Sequence, residues 1–392
     1  MSLKIKNHTP TDLRLVNSTD EFKSLQHEWD TLYEKCQQST IFSSWDWMFS
    51  WWEIYGDLIN SKLTILCLYK DNKIVGIAPF QILNIFPKSL VQGKTLCFLG
   101  TGEKKCDGVV SQFIDFIVEP ELENEMVEKV SEYLLKNKQL WDFADFEFLL
   151  EDALIFKCFN SAKSKISRKK INYGVRFSVP EMESFEDYQS QLGNRWRKMF
   201  AKKSRTLEKD GEIRIESTQT VESIEPAFKL LAEMHNARWN DRSNHSIFHS
   251  PHFCSFHLKV MRRLLPKKKV FIKTLYKDDE AMACYYCFTD KNQIHYYQSG
   301  FFTKYANRYS PLFLLVCSEI GEAIKSKMKF DFMYSDDAES YKKEQYAAEH
   351  EPMYRLRWSI KLYRFYLFDG AKFVQNTILK TQKAMNNKKA KA

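Results

Sequence analysis

A short segment in the last quarter of the sequence gathers side chains that can donate and accept protons. It reads DFMYSDDAESYKKEQY and spans residues 331–346. Its first residues alternate like those of a buried strand, and the polar residues that follow include Glu339, Tyr341 and Lys342. A carboxylate, a phenol and an amine are typical groups of general acid–base catalysis. The segment is either the solvated exit of a strand or the rim of a reaction site.

A second segment, QSGFFTKYANRYSPLFLLVC (298–317), reads as a strand end, a polar loop and a helix that starts at Ser310 and Pro311. The free N–H groups and the dipole at a helix start favour an anion. Lys304 and Arg308 in the loop would add positive charge. The pattern therefore predicts a phosphate or pyrophosphate site, and the alternative is a plain turn capped by Ser310. The glycine-rich cradle of a Walker loop or a Rossmann fingerprint is absent from this segment.

The most basic internal segment, NRWRKMFAKKSRTLEKDG (194–211), predicts an amphipathic helix with Trp196, Phe200 and Leu207 on its apolar stripe. Such a helix is commonly a solvated face on a core. The functional interpretation is recognition of an acyl carrier, a nucleotide or a phosphorylated sugar. Because the helix lies inside an α/β pattern without a reading-helix motif, we expect no DNA binding. Its cations are Arg195, Arg197, Lys198, Lys202, Lys203, Arg205 and Lys209.

Histidines cluster around residue 250, at positions 245, 249, 252 and 257. Ser250-Pro251 interrupts any helix between them, so structural or substrate contacts are favoured over a metal site. His235, on a predicted helix beside Arg238 and Trp239, is the histidine best placed to face a substrate.

The overall composition bounds the class of protein. The chain has 392 residues, 44% of them hydrophobic, and a formal charge of +9, which allows an anionic partner without identifying it. The nine cysteines are scattered and odd in number, which indicates reduced thiols. No apolar run approaches the roughly 18 residues of a spanning helix, and the first residues lack the apolar core of a signal peptide. We therefore expect a cytoplasmic protein without a metal.

Local patterns predict a mixed α/β chain in two similar halves. Each half reads as helices, an antiparallel meander, a further helix and another strand. In the first half, an aromatic helix is predicted to start at Ser43-Ser44, a β-hairpin to turn at residues 70–73, and SQFIDFIV (111–118) to form a strand. The boundary is expected near residues 173–183. The segment RLRWSIKLYRFYLFDGAKFVQNTILK (355–380) has aromatic and basic residues at helical spacing. It either packs on the domain or lies on an anionic membrane surface, at the inner face of the membrane.

Four of these segments, in this order, resemble a known family. LGNRWRKMFAKKSRTLEKDG, MHNARW with SIFHSPHFCSFH, YYQSGFFTKYANRYSPLFLL and FDFMYSDDAESYKKEQY are similar to motifs of GNAT-like acyltransferases associated with cellulose and exopolysaccharide synthesis, the CelD/BcsL-like group. In the first half, FLGTGEKKCDGVVSQFIDFIV is also similar. The resemblance covers roughly residues 15–350.

The resemblance implies an α/β (mixed α+β) fold of two tandem GNAT-like domains, related to Fem-type transferases. Each domain would hold a mixed sheet with an antiparallel meander and flanking helices. The expected division is 1–175 for the first domain, 176–365 for the second, which carries the donor site, and 366–392 for a basic tail. The implied reaction moves an acetyl or other acyl group from acyl-CoA to an amine or hydroxyl of a sugar, a polysaccharide precursor or a small metabolite, in a direct ternary complex.

The resemblance also implies roles for individual residues. The catalytic set is Glu339, Tyr341 and Lys342. The donor set is Gly300, Lys304, Arg308, Tyr309 and Ser310. The acceptor set is Arg197, His235, Arg238, Trp239 and Asp331. Two alternatives stay open: a Fem-like transferase that uses aminoacyl-tRNA, and a non-catalytic scaffold in polysaccharide synthesis. The oligomeric state is not predicted.

Overall fold

The structure, a computed structural model, describes residues 10–85, 93–160, 167–240, 246–337, 340–359 and 370. Side chains are described within these ranges except at 85, 159–160, 167–169 and 238–240. Glu339, His245 and nearly all of the predicted basic tail lie outside the described residues.

The first half of the described chain combines five helices with seven strands. The strands are β1 (Asp12–Val16), β2 (Ser61–Lys70), β3 (Lys73–Ile85), β4 (Gly93–Phe98), β5 (Ile117–Val118), β6 (Phe143–Leu149) and β7 (Ser167–Val179). The helices are α1 (Thr19–Ser24), α2 (Gln26–Lys35), α3 (Trp45–Tyr55), α4 (Glu123–Lys136) and α5 (Leu154–Asn160).

The second half of the described chain has the same kinds of elements. Its helices are α6 (Phe185–Gln191), α7 (Asn194–Asp210), α8 (Ile224–Asn240), α9 (Pro251–Leu264), α10 (Ala306–Tyr309), α11 (Pro311–Lys325) and α12 (Tyr341–Gln345). Its strands are β8 (Ile213–Ser217), β9 (Val270–Lys277), β10 (Glu280–Asp290), β11 (Gln293–Phe301), β12 (Lys329–Ser335) and β13 (Glu349–Ser359).

One sheet runs through both halves. Its order is β1-β2-β3-β4-β6-β13-β7-β12-β11-β10-β9-β8, with β5 paired to β3 at the side. Strand β13 from the end of the described chain lies between β6 and β7 and pairs antiparallel with both. The division predicted at residues 175 and 176 falls inside β7, and it stays a prediction.

The buried apolar residues of the sheet and its helices form two cores. The first includes the helices of the first half, residues of β2 on both faces of the sheet, and the face of the second half that carries Tyr286 and Met333. The second lies under α11 and includes Phe313 and other aromatic residues. Removing such side chains from water stabilises the fold by about 1.5–3 kcal/mol each.

Polar contacts also tie the halves together. The Tyr33 hydroxyl on α2 donates to Asp290 Oδ2 over 2.5 Å, and Lys267 Nζ donates to Asp46 Oδ2 over 2.6 Å. The partners in each pair are more than two hundred residues apart, so the halves form one packed body.

Most locally patterned elements are where the sequence predicts them. Helix α3 begins after Ser44, whose hydroxyl accepts from Trp47 N, and the β2–β3 hairpin turns at residues 71–72. The helical interpretation of 355–380 is wrong at its start, because residues 355–359 belong to β13. There Leu356 and Trp358 are buried while Arg355 and Arg357 reach Asp145, which is the two-residue period of a strand. Residues 360–369 and 371–380 lie outside the described residues.

Candidate active site

The site is built around an opening between two parallel strands. Strands β11 and β12 pair in parallel at Gln293↔Lys329, Ile294↔Phe330 and His295↔Asp331, and the ladder between them ends at this last pair. Beyond this point β11 continues to Phe301 and β12 to Ser335. We call the space between residues 296–301 and 332–335 the strand opening.

A bulge in β12 accompanies this divergence. The register of β12 with β7 shifts between Asp331 and Met333, and Met333 has a φ of 63°. A positive φ is unfavourable for a residue with a Cβ, so the surrounding contacts must hold it. Asp331 Oδ1 supplies one of them by accepting from Met333 N over 2.7 Å.

An aromatic pocket of about 220 Å³ lies at the strand opening on the α11 side. Its wall includes Tyr296 from β11, Phe332 from β12, Tyr346, and the start of α11 at 310–313. Tyr341 from α12 also lines it, and 59% of this residue is exposed. The pocket therefore joins the two sequence segments 298–317 and 331–346, both of which predict a site.

The start of α11 faces this pocket. Ser310 adopts a left-handed conformation, and its hydroxyl donates back to Ala306 O over 3.2 Å instead of capping α11. This corrects the alternative in which Ser310 caps a plain turn. The amides of Leu312 and Phe313 stand in the first turn, where helix geometry supplies no intrahelical acceptor. They can bind an anion.

The cations predicted at this helix start are engaged elsewhere. Lys304 Nζ lies 3.0 Å from Glu280 Oε2. Arg308 pairs with Asp210 at 2.5 Å, and the Tyr309 hydroxyl donates to the same carboxylate over 2.9 Å. Exposed pairs of this kind are weak and exchange readily. The donor roles of these residues stay predictions.

Lys342 lies beside the strand opening, with its Nζ 5.8 Å from the centre of the Phe332 ring. Ser340 caps the short helix α12 by accepting from Lys342 N. Lys342 Nζ donates to Phe332 O over 3.2 Å. Burial lowers the pKa of Lys342 to about 8, although the nearby carboxylates of Asp331 and Asp336 act to raise it. An amine with this pKa changes protonation near neutral pH, which suits a group that takes part in a reaction.

Asp331 is completely buried at the closed end of the strand opening. Its Oδ2 lies 2.7 Å from Gln293 Nε2, 3.0 Å from His295 Nδ1 and 3.1 Å from Arg176 Nη2. Burial acts to raise the pKa of Asp331, but Arg176 and His295 outweigh it and hold the pKa well below its usual value. Both carboxylate oxygens of Asp331 contact protein groups, and its role in acceptor binding stays a prediction.

Other residues of the predicted acceptor set are spread over two helices. Arg197 is exposed on α7. His235 is 8% exposed on α8, and its Nδ1 lies 2.8 Å from Ser246 Oγ. Arg238 and Trp239 are on the last turn of α8, and their side chains are outside the described part. The acceptor set stays a prediction.

Gly300, predicted in the donor set, is closely packed against α8. A Cβ at this position would lie 2.6 Å from Met234 Cβ and 2.8 Å from His235 N. We expect Gly300→Ala to lower the free energy of unfolding by about 1–3 kcal/mol, because helix and strand must separate. Urea denaturation measures this. Gly193→Ala is the control, since its Cβ would meet Trp196 Cδ1 at 3.8 Å. Equal stability of the two variants would contradict the expectation.

A second cavity, of about 720 Å³, was not predicted. It lies beside β4 and β6, whose parallel pairing stops at Leu96↔Ala144. Arg355 donates to both oxygens of Asp145, over 2.7 and 2.6 Å, and its Nη1 is 2.8 Å from Glu147 Oε1. Tyr173 and Gln298 of β11 complete this part of the wall. We call this space the polar cavity. The alternation of Asp145 and Glu147 with buried aromatic residues was the available sequence signal.

The described residues contain no helix long and apolar enough to cross a membrane. In the same ranges, no group of three or more His, Cys, Asp or Glu side chains is arranged to hold a metal ion. His257 is fully buried, and its Nδ1 lies 3.2 Å from the Tyr286 hydroxyl.

Comparison with known proteins finds a similarity in the second half of the chain. Residues 194–343 match the family described as "Acetyltransferase (GNAT) domain". This stretch contains the strand opening, α11 and Lys342. The match supports an acyltransferase, as predicted. No curated protein matches the chain.

Solved structures with the same fold extend over most of the chain. The crystal structure of FemX has a TM-score of 0.57 at 10% identity, covering 88% of this chain and 96% of that one. The C-terminal domain (DUF2156) of a putative lysylphosphatidylglycerol synthetase from Agrobacterium fabrum gives 0.51 at 12% identity, covering 90% and 96%. The L-PGS of Bacillus licheniformis gives 0.51 at 11%, covering 84% and 90%. At such identities the likeness concerns the fold, and it confirms the predicted mixed α+β class.

Proposed function

We propose that this protein, whose second half matches a GNAT acetyltransferase domain, transfers an acetyl or longer acyl group from acyl-CoA to an amine or hydroxyl. The acceptor we propose is a sugar, a polysaccharide precursor or a small metabolite, in keeping with the motif order that resembles the CelD/BcsL-like group. One observation carries the proposal. The strand opening has the aromatic pocket and the start of α11 on one side and a buried, low-pKa amine beside it.

The donor fits the α11 side of the opening. Free amides at 312 and 313 suit the pyrophosphate of an acyl-CoA. The aromatic pocket suits the apolar arm and the acyl chain, since its wall includes Tyr296, Phe332 and Tyr346. The edges of β11 and β12 that face each other beyond residues 295 and 331 present backbone groups that can hydrogen-bond the amides of such an arm.

The acceptor fits the opposite side, through the polar cavity. Tyr334 of β12 stacks on Tyr173, which lines that cavity, so the cavity wall is continuous with the strand opening. The carboxylates of Asp145 and Glu147 can accept hydrogen bonds from the hydroxyl or ammonium groups of a sugar-like acceptor. Arg355 would hold their orientation.

The chemistry then follows from three groups. The acceptor nitrogen or oxygen forms a bond to the acyl carbon, the carbon–sulfur bond breaks, and the acceptor loses one proton while the thiolate gains one. Lys342, in its ammonium form, would stabilise negative charge that develops on the acyl oxygen. Tyr341, which lines the aromatic pocket, would protonate the thiolate. Glu339, outside the described residues, would take the acceptor proton.

Ligand-induced stabilisation tests the donor. A donor present at 100 times its dissociation constant should add about 2.7 kcal/mol to the free energy of unfolding. We expect acetyl-CoA or a longer acyl-CoA to raise the Tm of the full chain by several degrees. Ala306→Trp, which fills the aromatic pocket, should abolish the rise, and Ala201→Trp on the exposed side of α7 should preserve it. A rise that persists in Ala306→Trp would place the donor elsewhere, and no rise with any acyl-CoA would reject acyl-CoA as donor.

A specific observation favours a second candidate, transfer from an aminoacyl-tRNA. Five exposed cations on α7 are spaced 3, 4, 3 and 4 residues apart and so form one stripe about 21 Å long. None of the five is in an ion pair with another described residue. Such a stripe is longer than the phosphates of CoA require and suits a nucleic-acid backbone. Its members are Arg195, Lys198, Lys202, Arg205 and Lys209.

Charge reversal separates the two donors. Lys198→Glu with Lys202→Glu should abolish transfer if the donor is a tRNA, and the same activity should be sensitive to ribonuclease. Lys136→Glu with Lys138→Glu in the first half is the control with the same change in net charge. Ribonuclease-resistant activity with acyl-CoA would reject the second candidate.

A further inference from the structure

Arg176 is a largely buried cation at the closed end of the strand opening, and contacts with its neighbours fix its position. It lies on β7, opposite Tyr334 of β12 and Glu351 of β13. Its side chain is 13% exposed, with Nη2 3.1 Å from Asp331 Oδ2 and Nη1 2.9 Å from Glu351 Oε1. The guanidinium also stacks over the Phe113 ring at 4.5 Å. These contacts on three sides fix the positive charge.

Asp331, the partner of Arg176, is the carboxylate that acts most strongly to raise the pKa of Lys342. Lys342 Nζ donates a hydrogen bond to the carbonyl oxygen of Phe332, the residue that follows Asp331 in the chain. Both side chains are largely out of water, where charges interact strongly. An uncompensated Asp331 would therefore keep Lys342 protonated.

Other charged groups near Lys342 come from several elements. Asp336 follows β12 and acts in the same direction as Asp331. His295 on β11 contacts Asp331, and Glu351 on β13 contacts Arg176. On α12 itself, Lys343 and Glu344 are exposed and oppose each other in charge. The fixed, buried cation in this set is Arg176.

We propose that Arg176 is a positioning residue that sets the protonation of Lys342 by neutralising Asp331. The guanidinium cancels the field of the carboxylate while leaving its Oδ1 free to hold the bulge at Met333. Lys342 then stands beside an overall neutral pair and can release its proton near neutral pH. The inference rests on the proposed function in one respect, since it matters for turnover only if Lys342 takes part in acyl transfer.

The proposal predicts shifts of opposite sign. Arg176→Gln removes the cation and should raise the protonation midpoint of Lys342 by about one pH unit or more. Asp331→Asn removes the anion and should lower it by a similar amount. General loosening would admit water and raise the midpoint in both variants, so the sign in Asp331→Asn separates electrostatic tuning from a structural effect.

The test measures the amine directly. The full-length protein is pulsed with dilute acetic anhydride at a series of pH values, and acetylation of Lys342 is read by peptide mass spectrometry. The free-amine fraction gives the midpoint, which we expect near 8 in the unchanged protein. Arg176→Lys keeps the charge and should leave the midpoint within about 0.3 units, as should Arg355→Gln, whose guanidinium serves the polar cavity.

A milder variant covers the case in which the buried substitutions fail to fold. Glu351 is on the exposed rim of the network, so Glu351→Gln should fold. This substitution removes one of the two carboxylates that neutralise Arg176. The net positive charge near Lys342 therefore increases, and the protonation midpoint of Lys342 should fall. An unchanged midpoint in Arg176→Gln, or a rise in Asp331→Asn or Glu351→Gln, would overturn the proposal. If the midpoints shift as stated while no acyl donor gives turnover, the proposed function fails and this inference stands.

Discussion

Lys342→Met should reduce kcat for acyl transfer by about 10²–10³-fold, the usual cost of removing one group that stabilises developing charge. The reason is local. Lys342 Nζ is held beside the strand opening by Phe332 O, and burial brings its pKa to about 8. The KM for the donor should change much less than kcat if the amine acts mainly in the transition state. Steady-state kinetics with a saturating donor measures both.

The neighbouring lysine is a matched control. Lys343 is on the same short helix but exposed, so Lys343→Met should leave kcat within about twofold of the unchanged protein. Lys342→Arg keeps a positive charge without a proton that is released near neutral pH, so it should restore part of kcat and flatten the pH profile. Full turnover by Lys342→Met would remove this residue from the reaction.

The same substitution should make the fold more stable. Burial lowers the folded-state pKa of Lys342, so the unfolded chain binds the proton more tightly. Stability of the unchanged protein should therefore rise as the pH increases from about 8 to the unfolded value of about 10.4. Lys342→Met lacks this rise and should gain about 1–3 kcal/mol at pH 7. Urea denaturation at pH 7 and pH 10 measures the difference, and a destabilised variant at pH 7 would contradict it.

The sequence predicts elements whose signal is local. Ser44 before an aromatic helix and the hairpin turn at residues 71–72 carry their own information, and both are found. Strand β13 was missed because its alternation covers few residues and its partners, β6 and β7, are far away in the chain. The predicted strand SQFIDFIV shrinks to Ile117–Val118, since only these residues find a partner in β3.

The site residues also differ in how far the sequence alone reveals them. The helix start at Ser310 and the lysine at the exit of β12 were visible as patterns, and the structure brings both to the strand opening. Arg176 was not visible, because its role depends on the register of β7 with β12, about 155 residues later in the chain. Asp331 illustrates the limit of motif reasoning. The motif marks the position, but only its burial and its four contacts indicate that it acts within the protein.

Asp331→Ala should lower the free energy of unfolding by about 3–5 kcal/mol, the range for removing one partner of a buried ion pair. The variant leaves Arg176 partly uncompensated and releases the amide of Met333 at a positive φ. Urea denaturation at pH 7 measures the loss. Asp336→Ala, on the exposed side of the same segment, should stay within about 0.5 kcal/mol of the unchanged protein.

The pH dependence of this loss has a definite sign. The folded-state pKa of Asp331 is held well below its usual value, so its contribution is fully present above the unfolded value of about 3.9. It disappears only as the pH falls through the lower folded-state pKa. The difference between the unchanged protein and Asp331→Ala should therefore be constant between about pH 5 and 6, below the range in which Lys342 titrates. A difference that vanishes at pH 6 would mean that the carboxylate is not held by its partners.

A double replacement separates the ion pair from the space it fills. Asp331→Leu with Arg176→Met removes both charges and keeps apolar volume, so it should be more stable than either single substitution. The remaining loss would then report the contacts that Leu cannot make, chiefly the one to Met333 N. If the double variant recovers stability and its Lys342 midpoint equals that of the unchanged protein, the effects of Arg176 and Asp331 on the pKa of Lys342 cancel. Removing only the cation should then raise this midpoint, and removing only the anion should lower it.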